Sequence, residues 1–170
     1  SGTPDIAVTG GAARTLTIRS ATISNDGVSK SGSGKVILTK MDNTLTGDIS
    51  VREGNFMIGA TSNDGVSRQL GGGNFSGNID IASGATFEFW TGTTGQQQEF
   101  SGVISGGGNV KLAYRGIYTL SGANTYTGKT TVHGQFNGRL SELNVSSFNS
   151  VVSGSMVTGS GTVATPVPSS

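Results

Sequence analysis

An all-β stack of short coils is the fold class that this chain of 170 residues predicts. Three observations point to it. An aromatic residue or Leu, then Ser or Thr, then Gly recurs at Leu45-Thr46-Gly47, Phe75-Ser76-Gly77, Phe100-Ser101-Gly102 and Tyr126-Thr127-Gly128. The copies stand about 25–30 residues apart, a spacing that belongs to solenoids. Strand formers follow each glycine at alternate positions, as Ile49 and Val51, Ile79 and Ile81, Ile104, and Thr130 and Val132, the period of a pleated, half-buried surface. The chain also holds 29 Gly but only 3 Pro, and Pro4, Pro166 and Pro168 all lie near its ends. Nothing in the long middle therefore removes a ladder hydrogen bond. A strand–corner–strand unit cannot bury its own apolar face, whereas units stacked about 4.8 Å apart bury a continuous column. At about 25 residues per coil the chain predicts roughly six or seven coils, a rod about 30 Å long.

Taken in order, Ile6, Val8, Leu16, Ile18 and, after a polar break, Ile23 predict two or three short opening strands. Ser24-Asn25-Asp26-Gly27-Val28-Ser29 recurs as Ser62-Asn63-Asp64-Gly65-Val66-Ser67. Asn-Asp-Gly marks a turn, because these residues tolerate positive φ. Each copy offers one carboxylate where calcium takes about six to eight oxygens, so a turn is the expectation. Gly34 to Thr39 leads into Asn43 to Gly47 as Gly116 to Ser121 leads into Asn124 to Gly128, with a slip of one residue. In Phe87-Glu88-Phe89-Trp90, alternation sets the two Phe on one face and Glu88 and Trp90 on the other. Trp90 either faces solvent as a partner contact or is covered by the loop Thr91 to Gln98. Beyond Gly134, Phe136, Leu140, Leu143, Val145, Phe148, Val151 and Val152 predict a final coil or a hairpin capping the stack, and Met156 to Val163 one more strand pair. The expected organisation is one unit over residues 1–165 and an exit linker over 166–170, rich in Pro and Ser.

Several functions are unlike this composition. A net charge of +1 supplies no field for nucleic acid or anionic lipid. Cys is absent, which excludes disulfides, thiolate metal sites and cysteine nucleophiles. His133 is the sole histidine and reads as an exposed turn residue beside Gly134. Stacking the four copies sets Asp48, Asn78, Val103 and Lys129 in one column, without the carboxylate pair that glycoside chemistry needs. Gly71-Gly72-Gly73 and Gly106-Gly107-Gly108 lack the Lys-Ser or Lys-Thr of a phosphate loop and read as corners. No enzyme activity, no catalytic residue, no metal and no cofactor is expected. The chain opens on Ser1, without a signal peptide or a long apolar run, and reads as an excised piece of a larger protein.

One stretch is more specific. Leu120, Gly122, Asn124, Tyr126, Gly128, Thr130 and Val132, with Gly134 one residue early, resemble the passenger-associated transport repeat of bacterial autotransporters. Gly159-Ser160-Gly161-Thr162-Val163 is similar to the coil that often closes that repeat. A weaker copy keeps Asn43, Gly47, Val51 and Gly54 but has Leu45 for Tyr and Ile49 for Thr. The resemblance implies a right-handed parallel β-helix, exported through the periplasm and carried to the bacterial surface by a C-terminal outer-membrane β-barrel (type V secretion), with release outside the cell an open alternative. Its partners are then the barrel and the rest of the passenger, and the stem is a monomer. It further implies an autochaperone segment of a surface virulence factor or adhesin, whose template rung comprises Leu120, Tyr126, Gly128, Thr130, Val132 and Phe136. Two alternatives stay open. In one, the wall binds a host protein or glycan, as an adhesin or a recruiter of cytoskeletal factors, through Trp90, Tyr114 and Tyr118. In the other, the chain is a fragment of a trimeric phage tail fibre.

Overall fold

The computed structural model describes residues 3–19, 26–39, 45–59, 68–113 and 116–133, and beyond them five short strand segments between 135 and 164. In chain order the strands are β1 (Asp5–Ala7), β2 (Thr15–Ile18), β3 (Val28–Ser31), β4 (Lys35–Leu38), β5 (Ile49–Val51), β6 (Asn55–Gly59), β7 (Asn74–Phe75), β8 (Ile79–Ile81), β9 (Thr86–Trp90) and β10 (Gln97–Phe100). They continue as β11 (Ile104–Gly106), β12 (Asn109–Ala113), β13 (Ile117–Leu120), β14 (Thr130–His133), β15 (Gln135–Phe136), β16 (Arg139–Leu140), β17 (Glu142–Val145), β18 (Val157–Thr158) and β19 (Thr162–Ala164). Three sheets form the walls, ordered β1-β3-β5-β8-β11, β2-β4-β6-β9-β12-β14-β18 and β7-β10-β13-β17-β19. Within each wall every pairing is parallel, and the chain visits the first, second and third wall in turn. This is a parallel β-helix.

Two walls hold five strands and one holds seven, so the stack amounts to about five turns. That is slightly fewer than the six or seven expected, because the layers at each end add strands to only one or two walls among the described residues. Leu16 shows the same end effect: it continues an inward column yet is 41% exposed, with β2 the outermost strand of its wall.

The core is a set of columns, one residue per coil. Leu16, Val36, Phe56, Phe87 and Val110 make one; Ile18, Leu38, Ile58, Phe89, Leu112 and Val132 another. Val28, Ile49, Ile79 and Ile104 line the first wall, and Phe75, Phe100 and Leu120 the third. Alternate residues face inward because the pleat has a period of two, and β-branched and aromatic side chains fill those sites. Phe100 is the hub, edge-on to Phe75, Phe87 and Phe89 at centroid distances of 6.4, 6.1 and 5.5 Å.

Local expectations fared unevenly. Gly27 turns with φ +89°, where a Cβ would meet the Asp48 carbonyl oxygen at 2.2 Å; the second copy of that turn lies outside the described residues, as do Ile23 and the linker 166–170. The loop expected through Gln98 ends sooner, since Gln97 and Gln98 already belong to β10. Gln98 faces inward at 1% exposure and acts as a surrogate peptide: its Oε1 accepts the Leu70 N–H at 2.8 Å and its Nε2 donates to the Leu70 carbonyl at 3.2 Å. His133 is not in a turn but ends β14, paired with Ala113. The hairpin comes earlier than a cap should: β15 and β16 pair antiparallel, and β17 then rejoins the third wall on β13. The expected last strand pair is present as β18 and β19, each parallel to the coil beneath.

Candidate functional site

The coil carrying the repeat begins with β13 on the third wall, where Leu120 is fully buried above Phe100. After a corner at Ser121–Gly122, residues 124–127 cross the first wall on top of β11. Thr125 and Tyr126 donate their N–H groups to the Ile104 carbonyl at 2.8 and 3.2 Å, and Thr127 donates to that of Gly106 at 2.9 Å. Asn124 is buried and reaches down one coil, its Oδ1 accepting the Ile104 N–H at 2.8 Å. A second corner at Gly128 leads into β14 on the second wall, above β12.

Tyr126 and Thr130 are the polar centre of this coil. Both are fully buried, and their hydroxyl oxygens lie 2.5 Å apart. Thr130 sits in a column otherwise made of Leu16, Val36, Phe56, Phe87 and Val110. A hydroxyl there needs a partner, because an unpaired buried one costs about 1–3 kcal/mol. Tyr126 supplies it from four residues away, and the position beneath Tyr126 is Gly106, with no side chain to compete for the space. Val132 closes the coil, buried above Leu112.

The four aligned copies do not all stack. Gly47, Gly77 and Gly102 do form one column, and its next member is Gly122, not Gly128: a Cβ on Gly122 would lie 2.0 Å from the Gly102 carbonyl oxygen. Asp48, Asn78 and Val103 stack as expected, with the Asn78 N–H on Asp48 Oδ1 at 2.7 Å and the Val103 N–H on Asn78 Oδ1 at 3.0 Å. Lys129 does not join them; its N–H donates to Asn109 Oδ1 at 2.9 Å, at the corner between the first and second walls. The cause is coil length. Successive equivalent positions are 30, 25 and then 20 residues apart, so the fourth sequence copy falls one corner further round.

The passenger-associated-transport-repeat family matches residues 28–55 and 116–134. This chain carries passenger-associated transport repeats. The repeat is one found in autotransporter passengers, and here it sits on a parallel β-helix. The two matches cover less than a third of the chain, and no curated protein and no solved structure matches it. In three dimensions the two copies are turned by one wall. The first uses β4 on the second wall and β5 on the first; the second uses β13 on the third wall and β14 on the second. Leu45 accordingly buries against the third wall in line with Phe75, whereas its sequence counterpart Tyr126 buries against the first. In this chain the repeat is thus a strand–crossing–strand unit that occupies two different pairs of walls.

Other candidate residues are scattered. Phe136 lies in the β15–β16 hairpin opposite Arg139, outside the three walls that hold Leu120, Tyr126, Thr130 and Val132. Tyr114 falls outside the described residues. Tyr118 is interior, fully buried, edge-on to Phe89 at 6.1 Å and donating its hydroxyl to the Ala113 carbonyl; burial pushes its pKa well up. As a surface contact it is corrected: the pleat turns it inward with Leu120. Trp90 is half-buried and engaged, its indole N–H donating to Glu88 Oε1 at 2.5 Å while the Lys111 ammonium stands 5.6 Å from the ring centroid.

Glu88 itself carried no expected role. Its side chain is 1% exposed although it points outward from the second wall, and it gathers donors from four coils. Lys111 Nζ lies at 2.7 Å, Lys35 Nζ at 3.2 Å and Asn55 Nδ2 at 3.2 Å, besides Trp90. Burial alone would raise the Glu88 pKa, but hydrogen bonds and charge from Lys111 and Lys35 outweigh it and hold the carboxyl below the usual range. A depressed folded-state pKa adds stability above the unfolded value, about pH 4–5 for glutamate, and that stability is lost as pH falls through the folded value. Glu88→Gln is therefore expected to lower the urea midpoint at neutral pH and to narrow the gap between the neutral and pH 3 midpoints. Parallel urea titrations at the two pH values check this.

Proposed function

We propose that this chain is the C-terminal stem and autochaperone part of an autotransporter passenger. It is a non-enzymatic, surface-displayed segment whose repeat coil serves as the first stable rung for the coils that fold onto it. The observation that supports this reading is the passenger-associated transport repeat at 116–134, with its motif Tyr and Thr paired inside the core. A rung held by an internal hydroxyl pair and by main-chain bonds to Ile104 and Gly106 keeps its shape and offers strand edges that a neighbouring coil can extend. The partners of that reaction are the rest of the passenger and an outer-membrane β-barrel, and its place is the bacterial surface.

The test is made in the full-length parent protein. Tyr126→Ala with Thr130→Ala leaves a cavity and removes both hydroxyls. The expected result is a normal amount of barrel in the outer membrane with passenger that is degraded or absent from the surface. Protease-resistant passenger at the wild-type level, with a binding phenotype lost instead, would make the segment a binding surface and refute the reading.

A further inference from the structure

Lys30 stands at a position the fold reserves for apolar side chains. It pairs with Ile6 on one side and Val51 on the other, and Val51 pairs with Ile81. The pleat therefore turns Lys30 into the interior of the β-helix, and it is 0% exposed. A buried ammonium is stable only with its protons placed. Here Nζ donates to the carbonyl oxygens of Ser31 at 2.9 Å, of Gly32, and of Glu53 at 2.8 Å, which uses all three protons. Two acceptors belong to the corner of its own coil and the third to the corner of the next coil, just past β5. Burial presses the ammonium pKa down, while the Glu53 and Asp5 carboxylates oppose that shift.

We propose that Lys30 is a register lock, fixing β3 on β5 and so placing the first two coils on the rest of the stack. The arrangement it excludes is a slip of two residues, which keeps every side chain on its own face and so is not rejected by the hydrophobic pattern. Only three residue pairs join these strands, Val28–Ile49, Ser29–Ser50 and Lys30–Val51. An apolar side chain at position 30 faces Ile49 as readily as Val51. The ammonium does not, because sliding two residues back moves it about 6.6 Å from the Glu53 carbonyl, beyond hydrogen-bond reach. A buried charge adds little net stability and here selects a single pairing instead.

The chain has no cysteine, so an introduced pair reports alone. In the native register Ser50 faces Ser29, and Ser31 lies two residues further on, too far for a disulfide; the slip brings Ser31 opposite Ser50. The chain with Ser31→Cys and Ser50→Cys, with and without Lys30→Met, is refolded from urea in a glutathione buffer. The cross-linked fraction is expected to rise about tenfold or more with Lys30→Met, since the lock is worth one charge-assisted hydrogen bond. The melting temperature of Lys30→Met alone should equal or exceed that of the wild type. Equal cross-linking in both backgrounds overturns the proposal. If Lys30→Met does not fold, Lys30→Leu takes its place, and failure of both to melt cooperatively also overturns it, because an apolar side chain should satisfy this column. The outcome does not depend on whether the repeat coil templates export.

Discussion

Phe100→Ala should destabilise this protein more than any other single truncation of its core. Phe100 is buried on the third wall, and three aromatic rings from two strands pack against its edges or present their edges to it: Phe75 on the coil below, and Phe87 and Phe89, both on β9 of the second wall. Removing a ring at such a junction forfeits its transfer free energy and leaves a cavity that rigid neighbours cannot close. The expected loss is about 3–5 kcal/mol, with part of it from edge-to-face contacts worth about 0.5–1.5 kcal/mol each. In a stack each coil touches only its neighbours, so the loss should be local as well as large. Urea unfolding followed by tryptophan fluorescence reads it directly, because Trp90 lies on β9 next to Phe89. A second unfolding step, or a midpoint shift of that size, is the expected signature; a shift within error would mean that the core relaxes around the gap.

The fold class was legible because its signals are local. Alternation places Val36 and Leu38, or Phe87 and Phe89, inward without reference to any other coil, and all four are buried. The order of stacking was less legible. A residue followed by Ser or Thr and Gly marks a corner at both Leu120-Ser121-Gly122 and Tyr126-Thr127-Gly128, and only the lengths of the coils decide which of them continues the column of Gly102. Polar sites followed the same division. Lys30 was visible in principle, since Val28-Ser29-Lys30 laid over Ile49-Ser50-Val51 sets a charge in an apolar column. Glu88 was not, because Lys35 reaches it from 53 residues away, across an intervening coil. Pattern shows that a side chain faces in or out; it does not show which distant cation will lie beside it. Tyr118 was misread for a related reason. An aromatic residue with a polar hydroxyl looks like a surface contact until the phase of its strand is fixed, and Leu120 two residues on fixes it inward.

Gly128→Ala should be the most damaging change within the repeat itself. Its φ is not in the left-handed region, so backbone freedom is not the reason for glycine here. Space is: a Cβ at Gly128 would lie 1.9 Å from the Gly108 carbonyl oxygen and 2.4 Å from its carbonyl carbon. Both are main-chain atoms of the coil beneath, held by the Gly108 N–H bond to the Ile81 carbonyl and unable to rotate away. Adding one methyl must therefore lift this coil at its corner, which strains the β14–β12 pairing that starts two residues later at Thr130–Val110. Overpacking of this kind costs about 1–3 kcal/mol, and the upper part of that range is expected because backbone has to move. Gly107→Ala is the matched control: the nearest atom to its Cβ is the Ser83 Cβ at 3.2 Å, on an exposed residue that can give way. That change should stay below about 1 kcal/mol. Urea midpoints of the two variants decide the matter. If Gly128→Ala unfolds at the control's midpoint, the corner tolerates a methyl and close stacking does not account for glycine in the repeat. If it unfolds far earlier, the spacing of glycines in this sequence is the imprint of one coil's backbone on the next.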